Sequence, residues 1–258
     1  MLASMMLFSI SCDKEPVGDR PDLPPMESLV MDFSAFDQQP GGVKSSAFTY
    51  ENFLHAYFSV VFWNVASTAT LAVPVAAYAH ALNQDAVYLG ENTWEWSFDF
   101  SLQGVSYEAK LTGARLNNEE FSMEMVISMS GSPGASMKWF DGVVRYDHTH
   151  ASWNLYGEQG VRLLEAEWNK DYESDASDLT YTYVEPGQEE TGSFISYARV
   201  PGEVYDASYT ISLSGGEVLI EWNTTTLEGR VKDSTGLGDN EWHCWDSKAN
   251  GYADMVCE

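Results

Sequence analysis

The tetrapeptide Asp147-His148-Thr149-His150 holds two imidazoles two residues apart, on one face if the segment is a strand. Neutral imidazole is the commonest metal ligand, and zinc would take a third and preferably a fourth donor, from His243 or one of the many carboxylates. The competing reading is a polar turn between strands. A second candidate, DSKANGYAD, puts Asp246, Asn250, Gly251 and Asp254 at positions 1, 5, 6 and 9 of a calcium loop. Lys248 occupies a ligand position there and Cys257 stands where the bidentate Glu belongs, so a closed turn is the better reading. His243 beside Cys244 pairs a base with a thiol, yet adjacent strand residues point to opposite faces and cannot share a proton. Carboxylate pairs such as Glu165 and Glu167 recur because Glu is abundant, and solvated strand faces account for them. The chain has no GxSxG elbow, phosphate loop or HExxH pair. These residues single out no catalytic group, no cofactor and no metal set.

Charge narrows the partners. Thirteen Lys and Arg stand against 39 Asp and Glu, a net charge of −26. Nucleic acid and anionic headgroups need clustered cations, so nucleic acid is excluded as a partner. Acidity of this kind keeps an exported protein in solution; a cation-binding surface is the alternative. Nine Trp and fourteen Tyr favour β-sheet, where large flat rings pack on the pleat.

The N-terminus gives an address. MLASMMLFSIS is apolar, small and uncharged, and Ser9-Ile10-Ser11 precede Cys12 as a lipoprotein signal peptidase requires. Its missing basic residues suggest that the true start lies upstream. The pattern resembles Bacteroidota-type lipoproteins, in which SC followed by Lys and acidic residues, here Asp13-Lys14-Glu15, marks surface export. On that resemblance residues 1–12 are a signal peptide and Cys12 carries a lipid that tethers the chain to the outer membrane, facing the periplasm or the cell surface. A protein outside the reducing cytosol is expected to pair Cys244 with Cys257. DKEPVGDRPDLPP then reads as a tether within residues 13–45, which also hold a candidate first strand or docked segment at Met26–Phe36.

Residues 46–258 read as a single β-rich domain with a helix at about 50–84. No Asp, Glu, Lys or Arg occurs from Asn52 to Gln84. Thr49 is the expected N-cap, with Glu51 favouring the first turn. Phe53, Tyr57, Val61, Val65 and Ala69 recur every four residues, widened by Leu54, Phe58 and Phe62, against a narrow polar stripe of Asn52, His55, Ser59 and Thr70. Pro74 should kink or end the helix, leaving a short second helix through Leu82. The uncharged run is long enough to span a bilayer, but its Ala, Ser, Thr, Asn and His content and lack of flanking cations favour packing on a sheet.

From Thr93 the period becomes two. Trp94, Trp96, Phe98, Phe100 and Leu102 face one way; Tyr107, Ala109 and Leu111, then Phe121, Met123, Met125, Ile127 and Met129, continue the habit. Further strands read at 137–146, 151–156, 161–168, 179–184, 194–198, 205–213, 217–223 and 227–232. The expected fold is mainly β (α+β): an antiparallel meander of about ten to twelve strands forming an open or partly closed barrel around the helix. WEW, EMVIS, LLEAEWNKD, YTYVE…GSFISY, IEW…GRVKD and WHCW…C together are similar to a flavobacterial-like group of Bacteroidota lipoproteins of unknown function. That resemblance implies localisation and no chemistry.

The first expectation is a non-catalytic module that binds an apolar, lipid-like small molecule on the concave face, with Trp94, Trp96, Phe98, Met123 and Met125 as its wall. The second is a surface assembly component meeting a protein or glycan partner, with Trp242 and Trp245 as candidate sugar-stacking platforms. A hydrolase would need converging polar groups that the pattern does not reveal. A cavity of several hundred Å³ separates the carrier from a packed structural protein.

Overall fold

The computed structural model describes residues 19–37, 49–131, 136–157, 159–213 and 215–257, so Cys12 and the signal segment lie outside the described residues. Fourteen strands form one antiparallel sheet in sequence order: β1 (Val87–Gly90), β2 (Thr93–Leu102), β3 (Val105–Arg115), β4 (Glu120–Met129), β5 (Met137–Arg145), β6 (His150–Tyr156), β7 (Arg162–Asp171), β8 (Ala176–Tyr183), β9 (Phe194–Arg199), β10 (Ala207–Leu213), β11 (Gly216–Trp222), β12 (Gly229–Asp233), β13 (His243–Trp245) and β14 (Asp254–Met255). The sheet is open, and helix α1 (Glu51–Ala81) packs on β2 near one end and on β12, β13 and β14 at the other. All eleven strands expected from the period of two are present.

Large and small side chains alternate across the inner face. One cross-strand row runs Trp94, Gly113, Met123, Gly142, Trp153, Ala166, Tyr181. Rings lie over the small neighbours: a Cβ on Gly142 would sit 2.4 Å from the Trp153 ring and 2.2 Å from the Ser152 carbonyl oxygen. Gly229, between Trp222 and Trp245 in register, has the same relation to the Trp245 indole and to the Glu221 carbonyl oxygen. Trp94, Trp96, Trp153, Trp168 and Trp222 are all buried, as their phase requires.

Of the two alternatives for 26–36, strand or docked segment, the structure shows the docked segment, with 3-10 turns at Met26–Ser28 and Ser34–Phe36. Residues 19–37 are therefore not free tether: Pro21, Pro24, Leu29, Met31 and Phe36 are buried. The segment lies on the concave face and cannot pair as a strand there, so its backbone polar groups are met by side chains. Trp153 Nε1 donates to the Ser28 carbonyl at 2.8 Å and Tyr78 to that of Pro24 at 2.7 Å. The Tyr181 hydroxyl donates to Leu29 O at 2.6 Å and accepts from Met31 N at 3.0 Å. The Tyr209 hydroxyl donates to the Asp32 carbonyl. Buried polar backbone thus finds partners without a ladder.

Helix α1 differs from expectation in three ways. Its buried face is Phe53, Ala56, Val60, Trp63, Ser67, Leu71, Ala77, Tyr78 and Ala81, whereas Phe58, Phe62 and Val65 are 56%, 58% and 64% exposed. The polar stripe faces protein: Asn52 Nδ2 donates to the Cys244 carbonyl at 2.8 Å, and His55 Nε2 lies 2.8 Å from Asp233 Oδ2. Thr49 is not the cap; Asp254 accepts from the N–H groups of Glu51 and Asn52. The helix continues through Pro74 but bends by 62° between Glu51–Thr68 and Thr70–Ala81. Proline lacks the N–H that would meet the Thr70 carbonyl and its ring crowds that oxygen, so the distortion falls one turn upstream. Among the described residues no single helix is long and apolar enough to cross a membrane; the two limbs together pass by length and composition only.

Cys244 and Cys257 form the expected disulfide, with Cα atoms 5.3 Å apart.

Candidate functional site

The bend opens a cavity of about 340 Å³. An antiparallel meander brings the start of β7, the end of β8, the start of β9 and the end of β10 to one rim, and the middle of α1 crosses it. The helix contributes Phe62, Trp63, Ala66, Ser67 and Thr70; the sheet contributes Leu163, Leu164, Tyr183 and Leu213. The β8–β9 loop completes the wall with Glu185, Glu190 and Ser193. That loop is tied down: Gly192 N donates to the Tyr183 carbonyl at 2.8 Å and Thr191 Oγ1 to the Glu185 carbonyl at 2.6 Å.

The wall is mainly apolar, and its polar groups are few and unevenly satisfied. The Tyr183 hydroxyl donates to the Glu185 carboxylate. Burial, followed by the hydrogen bond to Glu185 and then the charges of Glu185 and Glu190, pushes that phenol up to about 12, so it stays protonated at neutral pH. Trp63 and Ser67 are each only 4% exposed, yet Trp63 Nε1 and Ser67 Oγ have no hydrogen-bond partner among the described residues. An unmade bond of this kind costs roughly 1–3 kcal/mol per group. Two such groups in one cavity wall mark a place where stability has been given up. Ser67 also borders a smaller cavity of about 130 Å³, lined from the other side by Met31, Phe33, Leu71 and Tyr181.

The residues expected to form an apolar ligand wall lie elsewhere. Trp94, Trp96, Met123 and Met125 are 4%, 1%, 1% and 0% exposed, and Phe98 packs partly buried against the same core. None of the five lines the cavity at the bend. The concave face they occupy is filled by residues 19–37 and α1; Trp96 and Pro21 both lie within 3.5 Å of a Cβ placed on Gly113.

The chemistry-bearing motifs resolve into turns and pairs. His148 sits in a turn with φ 53° and its Nε2 is 3.1 Å from the Asp22 carbonyl, while His150 Nδ1 meets Asn169 Oδ1 at 2.9 Å. The two rings are not joined at one point. Asp246 accepts from Asn250 Nδ2 at 2.8 Å, and Asp254 points to the helix, so the 246–254 segment is a closed turn. Among the described residues no group of three His, Cys, Asp or Glu is placed to hold a metal ion. Glu165 pairs with Arg162 at 3.0 Å, and Glu167 lies 3.5 Å from His150. Cys244 is in the disulfide and His243 faces Asp239 at 3.0 Å. Trp245 is no platform: it is fully buried, with Nε1 donating to the Leu227 carbonyl at 2.7 Å. Trp242 is covered by the Arg230 guanidinium 4.3 Å from its ring.

Compared with protein-family models, curated proteins and solved structures, the chain matches none. Sequence reasoning missed the cavity because it depends on the bend. The one signal available was Pro74, whose upstream carbonyl is that of Thr70, a lining residue.

Proposed function

We propose that the chain is a lipid-anchored envelope protein, held at Cys12, that binds an apolar molecule non-covalently in the cavity at the bend of α1. The cavity itself carries the reading: its volume falls at the low end of the roughly 300–1,000 Å³ of small-molecule sites. The unpartnered Trp63 and Ser67 groups in its wall add support, as do the half-exposed Phe62 and Leu213, which let an apolar chain enter. The anchor rests on the Ser9-Ile10-Ser11-Cys12 pattern and on the similarity to Bacteroidota lipoproteins.

The test is native mass spectrometry of the full chain isolated from a bacterial envelope. A reproducible mass excess stripped by organic solvent is expected. It should vanish in Ala66→Trp, which fills the cavity from an exposed position without entering the core. A bare mass in the parent, together with no melting shift on adding apolar probes, would overturn the reading.

A second reading, a surface component that meets a protein partner, draws on the exposed Phe58, Phe62 and Val65 stripe of α1. Apolar side chains grouped on a helix face mark interaction surfaces more often than isolated ones do.

A further inference from the structure

The charge pattern of the cavity goes further and names a class of ligand. Two carboxylates, Glu185 and Glu190, stand in the lining, and no Lys, Arg or His is among the lining residues. Glu185 is joined to Tyr183 by the phenol's hydrogen bond, and Glu190 lines the cavity from the same β8–β9 loop. Tyr183 cannot neutralise them, since its single proton is already donated to Glu185. The lining also holds two aromatic rings, Phe62 and Trp63, edge to face with centroids 6.1 Å apart. The whole chain carries −26, so no distant basic field offsets the local one.

An anionic head brought here would meet two like charges with no cationic side chain in the lining. Like-charge juxtaposition disfavours such a ligand. An ammonium head meets the opposite situation. Both carboxylates attract it, and an aromatic ring face attracts a cation that comes within about 6 Å through its quadrupole. The apolar wall formed by Leu163, Leu164 and Leu213 then takes the chain.

We infer that the cavity selects an amphiphile with a cationic ammonium head and an apolar tail, its head between Glu185 and Glu190 and its tail under the bend of α1. The inference rests on the cavity being a binding site, and the test separates the two claims. Dodecyltrimethylammonium, dodecanol and dodecanoate, each below its micellar concentration, are titrated calorimetrically into the full chain and into Glu185→Gln/Glu190→Gln. Gln keeps an acceptor for Tyr183, so the loop should remain in place.

The ammonium compound is expected to bind roughly tenfold or more tighter than the carboxylate. In the double variant that gap should close, with dodecanol unchanged. Carboxylate binding equal to or tighter than ammonium would overturn the charge selection while leaving the apolar site standing. Ammonium binding that survives unchanged in the double variant would also overturn it, by showing attraction to the acidic surface at large. No binding of any of the three, or binding that Ala66→Trp leaves unchanged, would overturn the site itself.

Discussion

The carboxylate of Asp254 accepts a hydrogen bond from the backbone N–H of Asn52 at 2.9 Å, across a sequence separation of 202 residues. The same carboxylate takes the N–H of Glu51 at 3.1 Å, and Asp254 N returns a bond to the Thr49 carbonyl at 2.8 Å. A long helix is therefore started by the far end of the chain. An orphan pair of first-turn donors is satisfied and a negative charge is set at the positive end of the helix dipole.

Asp254→Ala should then cost about 1 kcal/mol, the usual value of a helix cap. For a chain of this length that lowers the melting temperature by about 2–4 °C. Asp254→Asn, which keeps an acceptor, should recover most of the loss. Equal melting temperatures for all three proteins would remove Asp254 from this role.

The disulfide holds the hairpin that carries that cap. Cys244→Ser/Cys257→Ser frees a loop of separation 13 and should cost about 3 kcal/mol in the chain-entropy account. Because Cys244 and Asp254 both bind the start of α1, adding Asp254→Ala to the cysteine pair should cost less than it does alone. Urea titrations of the four proteins give the coupling directly; strict additivity would show that the hairpin keeps its place without the bond.

Tyr181→Phe strips one hydroxyl from two buried backbone groups, Leu29 O and Met31 N. Each group left without a partner costs roughly 1–3 kcal/mol. The loss should be local as well as global. Amide exchange at Met31 is expected to quicken well before that of β8, and uniform quickening would argue against a separately docked segment.

Acid should act on the junction of α1 with β12. Burial alone would raise the Asp233 carboxyl, but the Gly236 amide, the His55 ring and the Thr235 amide outweigh it and hold that carboxyl below the usual range. A group lowered in this way adds stability at pH above the unfolded value of about 3.9. That stability is lost as the pH falls through the folded value. Asp233→Asn should therefore lower stability near neutrality and flatten its decline below about pH 4. Parallel stability curves in acid would contradict this.

Gly142→Ala should destabilise by about 1–3 kcal/mol, the range for an overfilled core, since the added carbon would meet the Ser152 backbone oxygen as well as the Trp153 ring. Normal stability, measured by chemical denaturation, would mean that β6 can retreat without loss.

How much of this was legible varies with the kind of pattern. The period of two in Trp94 to Leu102 and its successors set both the strands and their inner faces, because one face is buried and a slip of one residue would expose it. Strands β1, β13 and β14, of four, three and two residues, are too short to show a period. Helix α1 carries apolar residues around nearly its whole circumference, so spacing alone could not decide that Ala56 and Val60 are buried while Phe58 and Phe62 are not. Small residues face the sheet because they allow close approach. The cap at Asp254 and the handles on residues 24–32 join positions more than 50 residues apart, which no local window contains. The cavity was hidden for a related reason, since it arises from a bend and not from any run of residues.

The docking of residues 19–37 also has a mechanical meaning. If Cys12 carries the anchor, the leash to the first described residue, Asp19, is seven residue steps, at most about 25 Å when fully extended. A freely mobile tether through residue 45 would have let the body roam several times farther. With Cys12 anchored, the engaged handles would keep the body within the shorter reach of the membrane. Releasing Tyr78, Trp153, Tyr181 and Tyr209 from the segment would lengthen the leash, so under a Cys12 anchor the contacts that complete the core would also set the height of the protein above the membrane.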